Sequence, residues 1–169
     1  MLVWGGTSSF GWCPGAGEAC TDTGAGYDPI TDSWTPIALG GAPVGRRAHT
    51  AVWTGSEMIV WSGERSLQTL NDGARYNPIS DTWNSTSTTN APVGRLRHTT
   101  VWTGSEMVVW GGCESRGCFV PNLDSGGRYD PLTDTWTPTD LVDAPFPRHD
   151  HAAVWTGSEM IVWGGCVDA

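Results

Sequence analysis

The chain has 169 residues, no lysine, and nine arginines against eighteen carboxylates, for a net charge of −9. A surface so acidic repels a phosphate backbone, which argues against a nucleic-acid partner. No apolar run reaches the length that spans a bilayer, so no membrane span is expected, and residues 1–6 are already repeat sequence, so no signal peptide is visible in them.

Taken in order, the chain opens on a short apolar segment ending at Trp4, followed by Gly5 and Gly6, and the same element returns at Trp61, Trp110 and Trp163. Tyr27, Tyr76 and Tyr129 follow at offsets of 49 and 53 residues, and Trp34, Trp83 and Trp136 keep those offsets. The heptapeptide Val-Trp-Thr-Gly-Ser-Glu-Met stands at 52–58, 101–107 and 154–160. Ten of the eleven tryptophans are therefore repeat positions, and a period near 50 residues predicts a propeller. The units run over 1–57, 58–106 and 107–159, with 160–169 beginning another.

Within a unit the pattern is four short strands. His49 to Trp53 predicts a first strand, and Thr54-Gly-Ser-Glu57 a tight turn. The return, Met58-Ile-Val-Trp61, is apolar at consecutive positions, as a strand buried on both faces must be. Gly73-Ala-Arg-Tyr76 predicts a third strand, Asn77-Pro-Ile-Ser-Asp81 a turn, and Thr82-Trp83 the start of a fourth. From Tyr to the next repeat Trp the distance is always 34 residues, whereas from that Trp to the next Tyr it is 23, 15 and 19. All length variation thus falls in the strand two to three connection, roughly 7–24, 64–72 and 113–125. In an up-and-down sheet that connection shares an end with the strand four to one connection. One rim is constant and the other diversified, and diversified loops on a rigid scaffold usually carry binding.

These residues resemble the kelch repeat: Gly-Gly after strand two, Tyr and then Trp around the third turn, and Arg leading into strand one. The likeness is to bacterial kelch-type repeats with the VWTGSEMIVWGG signature, in the superfamily of the galactose oxidase central domain. It implies an all-β kelch-type propeller of four-stranded blades with a binding role. Ser62 departs from the pattern in the Gly-Gly pair, and Gly26 stands where Arg75 and Arg128 stand in the other units. About three blades are expected here: thirteen strands as three, four, four and two. Since closure takes roughly four to eight blades, the expectation is a partial ring, either a fragment of a longer propeller or one completed by a second copy.

Five cysteines divide between variable loops: Cys13 with Cys20, and Cys113 with Cys118, are each expected to close a small loop disulfide, while Cys166 occupies the position of Cys113. Disulfides point to an oxidising compartment, extracellular, periplasmic or at the cell surface. The cysteines and histidines have no zinc-site spacing.

Arg46, Arg95 and Arg148 each precede a repeat histidine, His49, His98 and His151, by three residues. In a propeller they would ring the channel mouth, where converging arginines hold carboxylates or phosphate. Equally, residues present in every blade can do one structural job in every blade, an Arg bonding loop carbonyls and a His satisfying buried backbone. Arg47, Arg97 and His149 differ between units and are better placed for specificity. Phe10, Trp12 and Phe119, aromatics outside the repeat, could anchor a partner or stack on a sugar. The acidic turns 28–32 and 130–134 suggest calcium by their carboxylates, but turn capping explains them, with Asn77 at the equivalent place. No nucleophile–base pair, phosphate loop or paired-carboxylate site stands out. The expected function is a non-catalytic propeller without cofactor or metal, presenting one loop rim to a protein or glycan, acidic ligands included. The alternatives are a piece of a secreted oxidase resembling galactose oxidase, which would imply copper held by Tyr and His, or a self-assembling repeat protein.

Overall fold

A computed structural model describes residues 1–7, 20–115, 118 and 122–167. Among them there is no helix, and thirteen of the fifteen strands form four antiparallel sheets of three, four, four and two strands. The first sheet is β1 (Leu2–Trp4), β2 (Gly24–Asp28) and β3 (Ser33–Pro36). The second is β4 (Thr50–Trp53), β5 (Met58–Trp61), β8 (Gly73–Asn77) and β9 (Thr82–Ser85). The third is β10 (Thr99–Trp102), β11 (Met107–Trp110), β12 (Gly126–Asp130) and β13 (Thr135–Pro138). β14 (Ala152–Trp155) and β15 (Met160–Trp163) make the last hairpin. An addition to the sequence reading is a ribbon of β6 (Glu64–Arg65) and β7 (Gln68–Thr69) inside the second variable loop.

Register is the same in every blade. Trp61 lies opposite Thr50 and Gly73, Trp110 opposite Thr99 and Gly126, and Tyr76 and Tyr129 lie opposite Trp83 and Trp136. The first strands of successive blades touch, β4 on β10 and β10 on β14, which places them innermost around a common axis.

Strand two alternates between its neighbours, as a period of two requires. Met58 and Val60 face the first sheet, packing with Trp4, Ile37, Tyr76 and Trp83. Ile59 and Trp61 face the third sheet, packing with Met107, Val109, Tyr129 and Trp136. The continuous apolar run of the sequence is thus the signature of a strand sandwiched between blades. At the first two junctions a strand-two Trp meets the next blade's fourth-strand Trp, at 5.6 Å for Trp4–Trp83 and 5.1 Å for Trp61–Trp136. Such pairs add about 0.5–1.5 kcal/mol beyond the area they bury.

Hydrogen bonds tie the turns across the same junctions. Tyr76 Oη donates to Asp81 Oδ1 at 2.6 Å, and the same oxygen accepts the Ala38 amide of the preceding blade at 2.8 Å. Trp83 Nε1 donates to Ala38 O at 2.9 Å, and Tyr129, Asp134, Ser87 and Trp136 repeat the arrangement one blade on. The acidic turns cap themselves: Asp28 accepts the Ile30 amide, Asn77 that of Ile79 and Asp130 that of Leu132, at 2.8–2.9 Å.

Candidate functional site

Three short pairings build the diversified rim. The segment leading into strand one pairs with the residue three past each repeat Trp: Arg47 with Glu64, Leu96 with Cys113, and His149 with Cys166. The strand two to three and strand four to one connections therefore lie at one end, bonded together.

Beneath this rim sits the repeated arginine. Arg46 Nε donates to Val44 O at 3.0 Å, and Nη1 donates to Ser62 O at 3.1 Å and Asp72 O at 2.9 Å. Arg95 does the same to Val93 O at 3.1 Å, Gly111 O at 3.0 Å and Ser125 O at 2.7 Å. Both side chains are fully buried, and Nε and Nη1 of each donate to backbone carbonyls, while Arg46 Nη1 also meets Asp72 Oδ1 at 2.9 Å and Arg95 Nη2 reaches Ser125 Oγ at 3.4 Å. Arg148 keeps two such bonds, to Phe146 O and Gly164 O, at 3.0 Å each. Backbone amides of Gly6, Gly63 and Gly112 in turn donate to the carbonyls of Arg46, Arg95 and Arg148 in the next blade, at 2.8–3.0 Å. The arginine is a clamp between a loop and two blades.

The repeated histidines stand beside it. His98 Nε2 pairs with Thr50 Oγ1 at 2.8 Å and His151 Nε2 with Thr99 Oγ1 at 2.7 Å, each reaching the innermost strand of the preceding blade. His49, His98 and His151 stack edge-on against Trp4, Trp61 and Trp110 at 5.2–5.6 Å. Burial, helped by the Arg95 guanidinium, holds the His98 imidazole down at about 3, and burial with Arg148 holds His151 at about 4. His49 is lowered by burial and Arg46. All three are neutral at pH 7.

Above the clamp the units diverge. Arg47 Nε donates to Glu64 Oε1 at 2.6 Å, and Nη2 reaches the same oxygen. Arg97 Nη1 meets Asp150 Oδ2 at 3.1 Å, a pair open to solvent on both sides. His149 Nδ1 bonds Asn122 Oδ1 at 2.7 Å. Arg97 and Asp150 have φ of 56° and 52°, the left-handed region that side chains disfavour. Their repeat equivalent Ala48, at 53°, shares it, so the conformation belongs to the fold while the side chains on it vary.

The ribbon turn is sharper still. Ser66 and Leu67, the two residues between β6 and β7, have φ of 50° and 69°, the two-residue hairpin turn that glycine or asparagine normally occupies. A leucine there is strained, and its side chain is 64% exposed at the ribbon tip. The sequence offered no signal for this residue, because strain is visible only in the backbone angles.

Ser62, visible in the sequence as a departure from Gly-Gly, has a role that the sequence did not show. It holds the left-handed position of a repeat glycine at φ 61°, and its hydroxyl, with one proton to donate, lies 2.7 Å from Leu70 O and 2.8 Å from Arg95 O while accepting the Arg95 amide at 2.9 Å. The departure from Gly-Gly thus adds a peg between two blades.

Cys113 and Cys118 are joined, with Cα atoms 5.3 Å apart, and close the third variable loop. Cys20 is disulfide-bonded and Cys166 is free and exposed. Cys13, Phe10, Trp12 and Phe119 lie outside the described residues. Each tyrosine hydroxyl donates to a carboxylate of its own turn. Desolvation and Asp81 push Tyr76 up to about 12. Among the described residues no three His, Cys, Asp or Glu side chains gather as a metal site would need, and no helix is long and apolar enough to cross a membrane.

Four-stranded sheets stacked through matched Trp and Tyr positions, first strands innermost, define part of a β-propeller with one ornamented rim. The KLHDC2/KLHL20/DRC7 Kelch-repeats domain model matches residues 1–169, so the chain belongs to the Kelch-repeat family, whose propellers are protein-binding modules. No curated protein sequence matches the chain.

Proposed function

We propose that this chain is a non-catalytic binding propeller that docks a protein through the rim of its strand two to three and strand four to one loops. Support comes first from Leu67, an apolar side chain held in a strained turn and projected into solvent from a ribbon that the Arg47–Glu64 pair anchors to the inner rim. An exposed leucine on a rigid ribbon suits a pocket in a protein partner. It gives nothing to a sugar ring, which is why a protein is preferred to a glycan. Arg97, His149 and Asp150 supply polar groups on the same rim that differ from blade to blade, and Arg97 is free to exchange Asp150 for an acidic group of the partner. The buried Arg46 and Arg95 act by holding those loops. The commitment of every Tyr hydroxyl to an Asp speaks against the oxidase alternative for these blades.

Selection of a random-peptide phage library on the immobilised chain tests the reading. Enriched peptides should lose binding to Leu67→Asp and weaken on Arg97→Ala, yet keep it on Ile79→Asp at the opposite rim. Loss on Ile79→Asp with retention on Leu67→Asp would reverse the assignment of the rims, and enrichment on a glycan array alone would replace protein with carbohydrate.

A further inference from the structure

We propose that the junction between the first two blades carries a groove for an arginine side chain of a basic protein partner, in the space that Arg75 of this chain fills one junction further on. The next junction shows what that space accepts. There Arg75, on β8, reaches across to the third blade and donates to Pro131 O, with Glu57 Oε2 of its own blade 3.8 Å away. Pro131 and Asp134 are half-buried in this arrangement, whereas their equivalents Pro78 and Asp81 at the first junction are exposed.

The difference comes from Gly26, which holds the register position of Arg75. Gly26 lies opposite Leu2 and Thr35 as Arg75 lies opposite Ile59 and Asn84, on the face of the first sheet that meets the second blade. Its backbone does not ask for a glycine. Its φ is outside the left-handed region, and a Cβ there would meet nothing closer than Leu2 Cδ2 at 3.4 Å. The effect of the glycine is to leave room between two blades.

A groove of about 320 Å³ opens at this place, walled by Leu2, Pro36 and Ile37 on one side and by Tyr76, Pro78 and Asp81 on the other. That volume is at the low end for ligand sites, roughly 300–1,000 Å³, and suits one side chain better than a cofactor. Leu2, Ile37 and the Tyr76 ring offer apolar surface to a methylene stem, which arginine buries while its head stays among polar groups.

Two acceptors await the head. Pro78 O holds the place of Pro131 O and accepts no backbone amide among the described residues. Asp81 Oδ1 is taken by Tyr76 Oη and the Ala38 amide, which leaves Oδ2 for a cation. Those two bonds, the tyrosine's first, hold the Asp81 carboxyl below the usual value, so it is charged at pH 7. A planar guanidinium donates to a carbonyl and a carboxylate at once, whereas a lysine ammonium has no such fixed fork. The net charge of −9 favours the approach of a basic partner. The groove belongs to the constant rim, opposite the ribbon that carries Leu67, so the two surfaces are separate.

Titration of the isotope-labelled 169-residue chain with a short blocked peptide carrying one central arginine, followed by amide NMR shifts, tests this. Saturable shifts are expected at Gly26, Tyr76 and Asp81, with lysine and citrulline versions of the peptide binding at least several-fold more weakly. Gly26→Ala, for which the sheet has room, should keep the binding, while Gly26→Arg should abolish it by filling the groove from within. Asp81→Asn, which retains an Oδ1 acceptor for Tyr76 and Ala38, should weaken the peptide several-fold. Leu67→Asp should change none of these results, so the groove and the loop-rim reading fail separately. Equal binding of the citrulline peptide, undiminished binding to Gly26→Arg, or the same shifts on concentrating the chain alone, as an arginine of a second copy would produce, would each overturn the proposal.

Discussion

The two kinds of tryptophan-lined face in this molecule differ only in what they meet. Trp61 is 0% exposed between the second and third blades, while Trp163, the same residue of the same repeat, is 80% exposed on the last hairpin. Trp34 is 53% exposed on the first sheet while Trp83 is 6%. Local sequence is nearly constant across these positions, so burial here is a property of neighbours, as in any stack of units that cannot bury their own apolar faces.

The largest effect that tests the contrast is Trp61→Ala, which should cost about 3–5 kcal/mol of unfolding free energy. At concentrations where the chain is monomeric, Trp163→Ala should stay within about 0.5 kcal/mol, as surface substitutions do. Urea unfolding of both variants measures the difference, and equal losses would mean that the open face is covered in the monomer.

Next comes the arginine clamp. Arg95→Met strands one buried and two part-buried carbonyls and should cost roughly 3 kcal/mol, whereas Arg148→Met, half-exposed and with fewer bonds, should cost roughly 1 kcal/mol. Thermal denaturation separates the two.

Acid should act through the same layer. His98 and His151 titrate at about 3 and about 4 when folded, below the ordinary value of 6.5, so the unfolded chain binds protons the folded chain refuses. Their contribution is whole above about pH 6.5 and is lost progressively as pH falls toward 4 and then 3. Urea midpoints at pH 7.5 and pH 4.5 should differ, and His98→Gln should narrow the gap. The smallest effect belongs to the exposed Arg97–Asp150 pair: Arg97→Ala should change stability by under about 1 kcal/mol, while weakening any peptide selected on the wild-type rim.

Much of the fold could be read from residue spacing. The constant 34-residue stretch from Tyr to Trp is two tight turns, the strand four to one connection and three strands whose register the pairing reproduces, and the consecutive apolar residues of strand two are explained by a blade on each side. The site was less legible. The arginines and histidines before strand one were visible as a repeated pair, but their alternative roles were separated only by where their atoms go, to carbonyls and to a neighbouring threonine. Leu67 carried no sequence signal, because it depends on backbone angles, while Ser62 stood out as a departure from Gly-Gly whose role, a hydroxyl that spans two blades, only the packing shows.

Periodicity alone settled the four blade strands of each unit, the turns between strands one and two and between three and four, and the confinement of length variation to one connection, since all three follow from short-range chemistry repeated at a fixed interval. Contacts between residues some fifty positions apart decided which equivalent tryptophan is core and which is surface, which charge is a clamp and which is free. Those depend on how blades stack, and one blade's sequence contains no record of its neighbour.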